Sequence, residues 1–177
     1  QSSPAERTAM RTSPTNIGMF LVSALAARDF GYINSEKLAE YMKNAADSID
    51  KLLKWRGNLY NWYDIQSLEV IGEPFISSVD SGNFLVCLTA VCEGLKEYAS
   101  EEPTLLDSVK RFEKAAAETD LSALYDSAGK LFYIGYNAGN AKYSDSRYDV
   151  FMSEARLTSY YAVATGQVPP EHYFAPA

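Results

Sequence analysis

The stretch Tyr60-Asn61-Trp62-Tyr63-Asp64, continued by Phe75-Ile76-Ser77-Ser78-Val79-Asp80-Ser81-Gly82-Asn83, sets aromatic rings beside carboxylates in a segment broken by Gly57, Gly72 and Pro74. Such breakers exclude one continuous helix, so rings and acids are presented on connecting backbone between helices. Sugar sites are built from these groups. A pyranose offers C–H faces that pack on aromatic rings and hydroxyls that bind carboxylates and amides, and cleaving its glycosidic bond requires carboxyl groups as acid and base or nucleophile. The competing reading is a packed loop whose aromatics anchor the core, because buried rings are common.

On both sides of this stretch the pattern is helical. Upstream, Gln1 to Ser13 is polar and reads as an extended lead-in. Ser13 or Thr15 caps a first helix with Pro14 at its start; Ile17, Phe20, Leu21, Ala24, Leu25 and Arg28 continue it and Gly31 stops it. A second helix opens at Ser35, carries the apolar stripe Leu38, Tyr41, Met42, Ala45, Ile49, Leu52 and Leu53, and ends at Gly57. Downstream, Asp80 or Ser81 caps a third helix, apolar nearly all round from Phe84 to Leu95, the mark of an inner helix. A fourth begins at Pro103, with Leu105, Leu106, Val109, Phe112 and Ala116 on one side and charges on the other, the mark of an outer one. The run Leu131 to Tyr136 between turn residues reads as a small hairpin, and a last helix is expected from about Ser146 to Ala164.

Composition narrows the class. A chain of 177 residues supports one domain with a core. A hydrophobic fraction of 47% with 22% charged residues fits a globular protein, and thirteen tyrosines suit a wet, partly apolar groove. The net charge of −7 argues against a nucleic-acid partner or direct contact with an anionic membrane, and favours a neutral one. Cys87 and Cys92 fit neither a redox nor a zinc spacing and read as buried free thiols. No apolar run reaches the roughly 18 residues that span a bilayer, and the first residues lack the form of a signal peptide. The chain starts at Gln1 rather than Met, as a processed or excised piece would. His172, a lone histidine without a nucleophile motif nearby, reads as a surface residue, and no metal or cofactor is expected.

Within the last predicted helix, Glu154 lies near Phe151, Met152 and Leu157. Desolvation there would raise its pKa, and Arg156 or Arg147 would lower it. Such a carboxyl is either a catalytic acid or a member of a structural ion pair.

Several runs in order carry a resemblance: Arg11-Thr12-Ser13-Pro14-Thr15-Asn16-Ile17-Gly18, Ala26-Ala27-Arg28-Asp29-Phe30-Gly31-Tyr32-Ile33, the Tyr60 to Asp64 and Ser78 to Asn83 runs, Leu131 to Asn137, Ser146-Arg147-Tyr148-Asp149 and Ser153-Glu154-Ala155-Arg156-Leu157. Together they resemble the glycoamylase-like domain of cyclic β-1,2-glucan synthases, to which endo-β-1,2-glucanases are related, from about Arg11 to Phe174. The resemblance implies an all-α (α/α)6 barrel of alternating inner and outer helices, here about its N-terminal half, with residues 1–177 forming one domain fragment. Half a barrel leaves apolar faces uncovered, so self-association or completion by the missing half is expected.

For function the resemblance implies retaining transglycosylation on a β-glucan oligosaccharide or polysaccharide, in a cytoplasmic part of an inner-membrane synthase. Such chemistry needs two carboxyl groups about 5 Å apart. Glu154 is the candidate acid/base; the nucleophile stays open, a position beyond Ala177 included. Asp80, Asp64 and Asn83 are candidates for binding sugar hydroxyls, Tyr60, Trp62 and Tyr63 for a stacking platform, and Arg147 and Arg156 for binding sugar or holding Glu154 ionised. Against these stand a core anchor for Trp62 and a helix cap for Asp80. Three readings remain at this point: a transferring or hydrolysing enzyme domain, a carbohydrate-binding piece without turnover, and a structural helical region.

Overall fold

The computed structural model describes residues 9–150 and 153–174. Its helices form two layers. Helices α1 (Pro14–Asp29), α3 (Ser78–Tyr98) and α5 (Arg156–Ala164) make one layer, with α3 packed against both others; α2 (Ser35–Lys51) and α4 (Leu105–Glu118) make the second, packed on each other and on α1 and α3 respectively. This is the inner and outer alternation expected. Two short 3-10 turns, Ser122–Leu124 and Pro170–Phe174, complete the helical part.

The helices start where local chemistry lets them. Ser13 caps α1 by accepting from Asn16 N, with Pro14 at the first position where its missing N–H costs nothing. Asn34 caps α2 by accepting from Lys37 N. The central helix begins earlier than expected: Ser77 is its cap, accepting from Asp80 N, so Asp80 stands in the first turn of α3 rather than at its cap. There its carboxylate also faces the positive end of the helix dipole.

Leu85, Leu88, Val91, Cys92 and Leu95 of α3 are buried with Leu38, Met42 and Ile49 of α2 and Leu105, Val109 and Phe112 of α4. The stripes hold except at their margins. Leu53, Phe20 and Leu106 are exposed. Leu53 lies past the end of α2, whose last residue is Lys51; Gly57 does not stop that helix but takes φ +77 in the turn of a hairpin.

Close approaches fix the inner layer. A Cβ at Gly82 would lie 2.5 Å from the Cα and Cβ of Thr158, so the backbones of α3 and α5 nearly touch there, and the Thr158 hydroxyl donates to Ser78 O. At Gly18 an added Cβ would meet Cys87, setting the distance from α1 to α3.

At the end of the bundle that holds the N-termini of α1 and α3, nine short strands among the described residues form four small sheets. Strand β1 (Arg11–Thr12) pairs with β4 (Tyr63–Asp64), so the described end of the lead-in is extended and ordered against the Tyr60 to Asp64 run. Strands β2 (Lys54–Trp55) and β3 (Asn58–Leu59) form the hairpin around Gly57. The run expected as one hairpin is divided: β7 (Leu131–Phe132) pairs back with β6 (Tyr125–Asp126), while β8 (Gly135–Asn137) joins β5 (Phe75–Ser77) and β9 (Lys142–Tyr143).

The last helix also begins later than expected, at Arg156 instead of Ser146. Residues from Ser146 on are used for pairing: Tyr133 bridges Arg147, and Tyr148 N donates to Phe132 O. Cys92 is buried and Cys87 half-buried, both free, and burial pushes the Cys92 thiol up to about 11. Among the described residues no helix is long and apolar enough to cross a membrane, and no group of three or more His, Cys, Asp or Glu could hold a metal ion.

Candidate active site

Three runs distant in sequence converge on the N-terminal end of α3. Thr15, in the first turn of α1, donates its hydroxyl to Asp80 Oδ1 at 2.6 Å, and Asn83 Nδ2 donates to Thr15 Oγ1 at 3.3 Å. With the Asn61 amide turned so that its nitrogen faces α3, it donates to Asp80 Oδ2 at 3.1 Å, and its oxygen accepts from Trp62 Nε1 at 3.3 Å. Both oxygens of Asp80 are thus bonded, and the carboxylate is oriented by α1 on one side and by the Tyr60 to Asp64 loop on the other. Ser81, the next residue, is buried with an unpaired hydroxyl.

The C-terminal part supplies the second carboxyl. Burial raises the pKa of the half-buried Tyr148 phenol, and the nearby charges of Glu154 and Asp80 raise it further. Glu154 and Asp80, far apart in sequence, therefore both lie near this phenol. Thr158, two residues into α5, holds that end of the helix on α3.

Other expectations change here. Glu154 is not on a helix among apolar residues; it is exposed, in the turn before α5. Of its expected apolar neighbours, Leu157 is itself 47% exposed, and Phe151 and Met152 lie outside the described residues. Among the described residues neither Glu154 nor Arg156 forms an ion pair, and Arg156 is exposed at the first position of α5. Arg147 points elsewhere: its Nε donates to Asp126 Oδ2 at 2.5 Å and its guanidinium lies over the Tyr133 ring.

The expected stacking platform is largely core. Tyr63 is fully buried, its hydroxyl donating to Leu53 O and accepting from Tyr60 N, and burial drives its pKa well above the usual phenol range. Tyr60 is 7% exposed and meets Tyr63 edge-on. Trp62 is half-buried with the Arg11 guanidinium 4.3 Å from its ring centroid, so one face is occupied. Asp64 serves its own turn: Oδ1 accepts from Ser67 N and Gln66 N, which holds its carboxyl below the usual range.

His172 is not a surface residue. It is 1% exposed, edge-on to Tyr125 and Phe132, with Nδ1 2.8 Å from Lys130 O and Nε2 2.8 Å from Ser159 Oγ. A carbonyl only accepts, so Nδ1 donates to Lys130 and, in the neutral ring, Nε2 accepts the Ser159 hydroxyl. The ring bolts the Pro170–Phe174 turn to α5 and to the β6–β7 hairpin.

Thr15, Asn61 and Tyr148 were not singled out from sequence, although each lies inside a run that carries the resemblance. An open cleft of about 610 Å3 between α3, α4 and α5, lined by Leu88, Cys92, Phe112, Tyr161, Thr165 and Gln167, lies away from the carboxylates. Glu93, Glu113, Glu118 and Asp120 also line it, and Lys96 pairs with the first two.

No family model matches the chain. Over 99 residues, 56% of its length, it is 42% identical to the cyclic β-(1,2)-glucan synthase NdvB of Rhizobium meliloti strain 1021. The chain spans only 4% of that protein. Among solved structures, the β-1,2-glucanase of Parabacteroides distasonis superposes with a TM-score of 0.83 at 13% identity, over 94% of this chain and 24% of that one. The endo-β-1,2-glucanase of Chitinophaga pinensis, solved with sophorotriose and glucose, gives 0.78 at 14% identity, over 98% and 41%. The chain thus has the fold of part of an (α/α)6-barrel protein and resembles both the cyclic synthases and the endo-β-1,2-glucanases, as the sequence motifs implied.

Proposed function

We propose that the chain is part of a β-1,2-glucan-acting domain in which Glu154 is the general acid/base and Asp80 a fixed carboxylate that orients the sugar. The observation that supports this best is the Asp80 carboxylate, held at both oxygens by Thr15 and Asn61 where motif-bearing segments meet, with the segment that follows Glu154 joined to α3 through Thr158. The two carboxyls differ in freedom. Asp80 accepts a hydrogen bond at each oxygen, which fixes its orientation and leaves a lone pair on each to accept from a sugar hydroxyl. Glu154 is exposed and, among the described residues, forms no ion pair, so its carboxyl is open to a substrate.

In this reading Glu154 protonates the leaving glycosidic oxygen as the bond to the anomeric carbon breaks, then takes a proton from the incoming group. If that group is a hydroxyl of glucan the outcome is transfer; if it is water the outcome is hydrolysis. The 42% identity to a cyclic synthase favours retaining transfer. The nucleophile that retention requires is then proposed to come from a part of the longer domain outside these residues, together with the surface that covers the exposed Leu157, Tyr160 and Phe20 side chains.

In the longer enzyme, Glu154→Gln is expected to lower turnover by about a hundredfold or more, the usual contribution of positioned acid–base catalysis, while the melting temperature stays unchanged. Product analysis on β-1,2-glucan separates transfer, which yields cyclic or lengthened chains, from hydrolysis, which yields shortened ones. Near-normal turnover in the variant would remove Glu154 from the site.

A further inference from the structure

The bonds to Asp80 are backed by a second rank of donors. Asn61 sits between the Trp62 indole and Asp80, and the chemistry of these two neighbours leaves its amide one orientation. An indole N–H only donates and a carboxylate only accepts, so the amide gives its NH2 to Asp80 Oδ2 at 3.1 Å and its oxygen to Trp62 Nε1 at 3.3 Å. The reverse would set oxygen against oxygen and N–H against N–H. On the other side Thr15 has a single hydroxyl proton, directed at Asp80 Oδ1, while its oxygen accepts from Asn83 Nδ2. Each oxygen of Asp80 thus faces a group that is itself held from behind by a donor.

Main chain fixes where these side chains start. Asn61 N donates to Phe75 O at 2.7 Å and Ile71 N to Trp62 O at 3.0 Å, so the loop is tied to the segment that leads into α3. The indole is also held from its face: the Arg11 guanidinium, carried by β1 in register with Asp64 of β4, lies 4.3 Å from the ring centroid. Among the described residues Arg11 forms no ion pair, so no carboxylate draws it off the ring. A ring serving as a sugar platform would keep its faces open and its N–H for the ligand. Trp62 has one face under a guanidinium and its N–H engaged.

We infer that Trp62 is a positioning residue: its N–H orients the Asn61 amide, and the amide orients Asp80. Without that N–H the Asn61 oxygen loses its donor and the amide can turn, so the bond to Oδ2 loses its fixed direction although no group touching sugar has changed. Hydrogen bonds in series also polarise and strengthen one another. This assignment rests on the role proposed for Asp80, and goes beyond it by giving the indole a task in that site other than stacking.

Trp62→Phe keeps a ring and removes the N–H, and so separates the two roles. In calorimetric titration of this chain with sophorotriose, Trp62→Phe and Asn61→Ala are each expected to weaken binding by about two- to tenfold, the worth of one hydrogen bond. The double variant should bind no worse than Asn61→Ala alone, because both changes cut the same relay. A platform predicts instead that Trp62→Phe binds normally, or that the two losses multiply, and either result overturns the inference. A second readout needs no sugar. In Trp55→Phe, Trp62 is the sole tryptophan, and deuterium exchange of its indole N–H can be followed by NMR. Asn61→Ala and Asp80→Ala should both speed that exchange, and Asn83→Ala, on the other oxygen, should change it less. Exchange indifferent to Asp80→Ala overturns the relay and leaves the role of Asp80 standing. Failure of the wild type to bind the sugar overturns that role, and the exchange rates then decide by themselves whether Trp62 is coupled to Asp80.

Discussion

Two groups of aromatic residues at the strand-bearing end of the molecule end in opposite states. Tyr60 and Tyr63, inside the most conspicuous motif, are sealed: Tyr63 has no exposed surface and its hydroxyl serves Leu53 O and Tyr60 N. Trp55, Tyr133, Tyr136 and Tyr143, spread over three strands and the bridge at Tyr133, form a half-buried column. The difference lies in what each ring finds to bond. Tyr63 projects inward from a strand held on both sides, by β1 and by the Val70 bridge, and can be buried because backbone groups satisfy its hydroxyl. The column rings pack chiefly on one another and on two arginines and stay half-buried, apart from Tyr143, which is exposed. A motif rich in rings and acids is therefore no measure of how exposed its rings are.

The sharpest way to break this contrast is to remove the sealed ring. Tyr63→Ala is expected to cost about 3–5 kcal/mol, the range for deleting a buried aromatic side chain, read by urea denaturation. Tyr63→Phe keeps the ring but leaves Tyr60 N and Leu53 O unpaired, and should cost about 1–3 kcal/mol. If instead it is neutral, the hydroxyl is not what permits burial. Tyr143→Ala, at the exposed end of the contrast, should cost less than about 1 kcal/mol, the scale of a cross-strand pair. A loss as large as that of Tyr63→Ala would make the column a core element.

The smallest effect is the pH dependence of the clamp at the Tyr133 end. Backbone hydrogen bonding from Gly129, followed by the Arg147 ion pair, holds the Asp126 carboxyl below its ordinary range in the folded state. A depressed folded pKa contributes stability that is complete above the unfolded value, about 3.9, and is lost as pH falls through the folded one. Melting curves below about pH 4 should therefore fall less steeply for Asp126→Asn than for the wild type, with no difference in slope near neutrality. Equal slopes in acid would dissociate Asp126 from the clamp.

The helical body was legible in the sequence because period and caps agree: the Ser13–Pro14 start of α1, the stripe of α2 and the apolar circumference of α3 each follow from residue types at helical spacing. The sheets were not. Strand β5 pairs with β8 some sixty residues away, and strands of two or three residues carry no periodicity to read. The start of α5 was misplaced for the same reason: Ser146 to Tyr148 are compatible with a helix, but Tyr133 and Phe132 claim their backbone. In the candidate site Asp80 and Glu154 were visible as acids in motifs, whereas the exposure of Glu154, the burial of Tyr63 and the bolt made by His172 depend on tertiary neighbours that no local pattern encodes.

The glycine at position 82 has a mechanical consequence. Where α3 meets α5 there is no side chain to compress, and a Cβ would collide with the backbone of Thr158. Asp80 stands two residues before this contact and Glu154 four residues before Thr158. The seam is therefore a fulcrum close to both acids, stiff because main chain bears on main chain. Stress reaching the domain from a larger assembly would turn α3 and α5 about this point, so the two acids, each within four residues of it, would move little relative to one another.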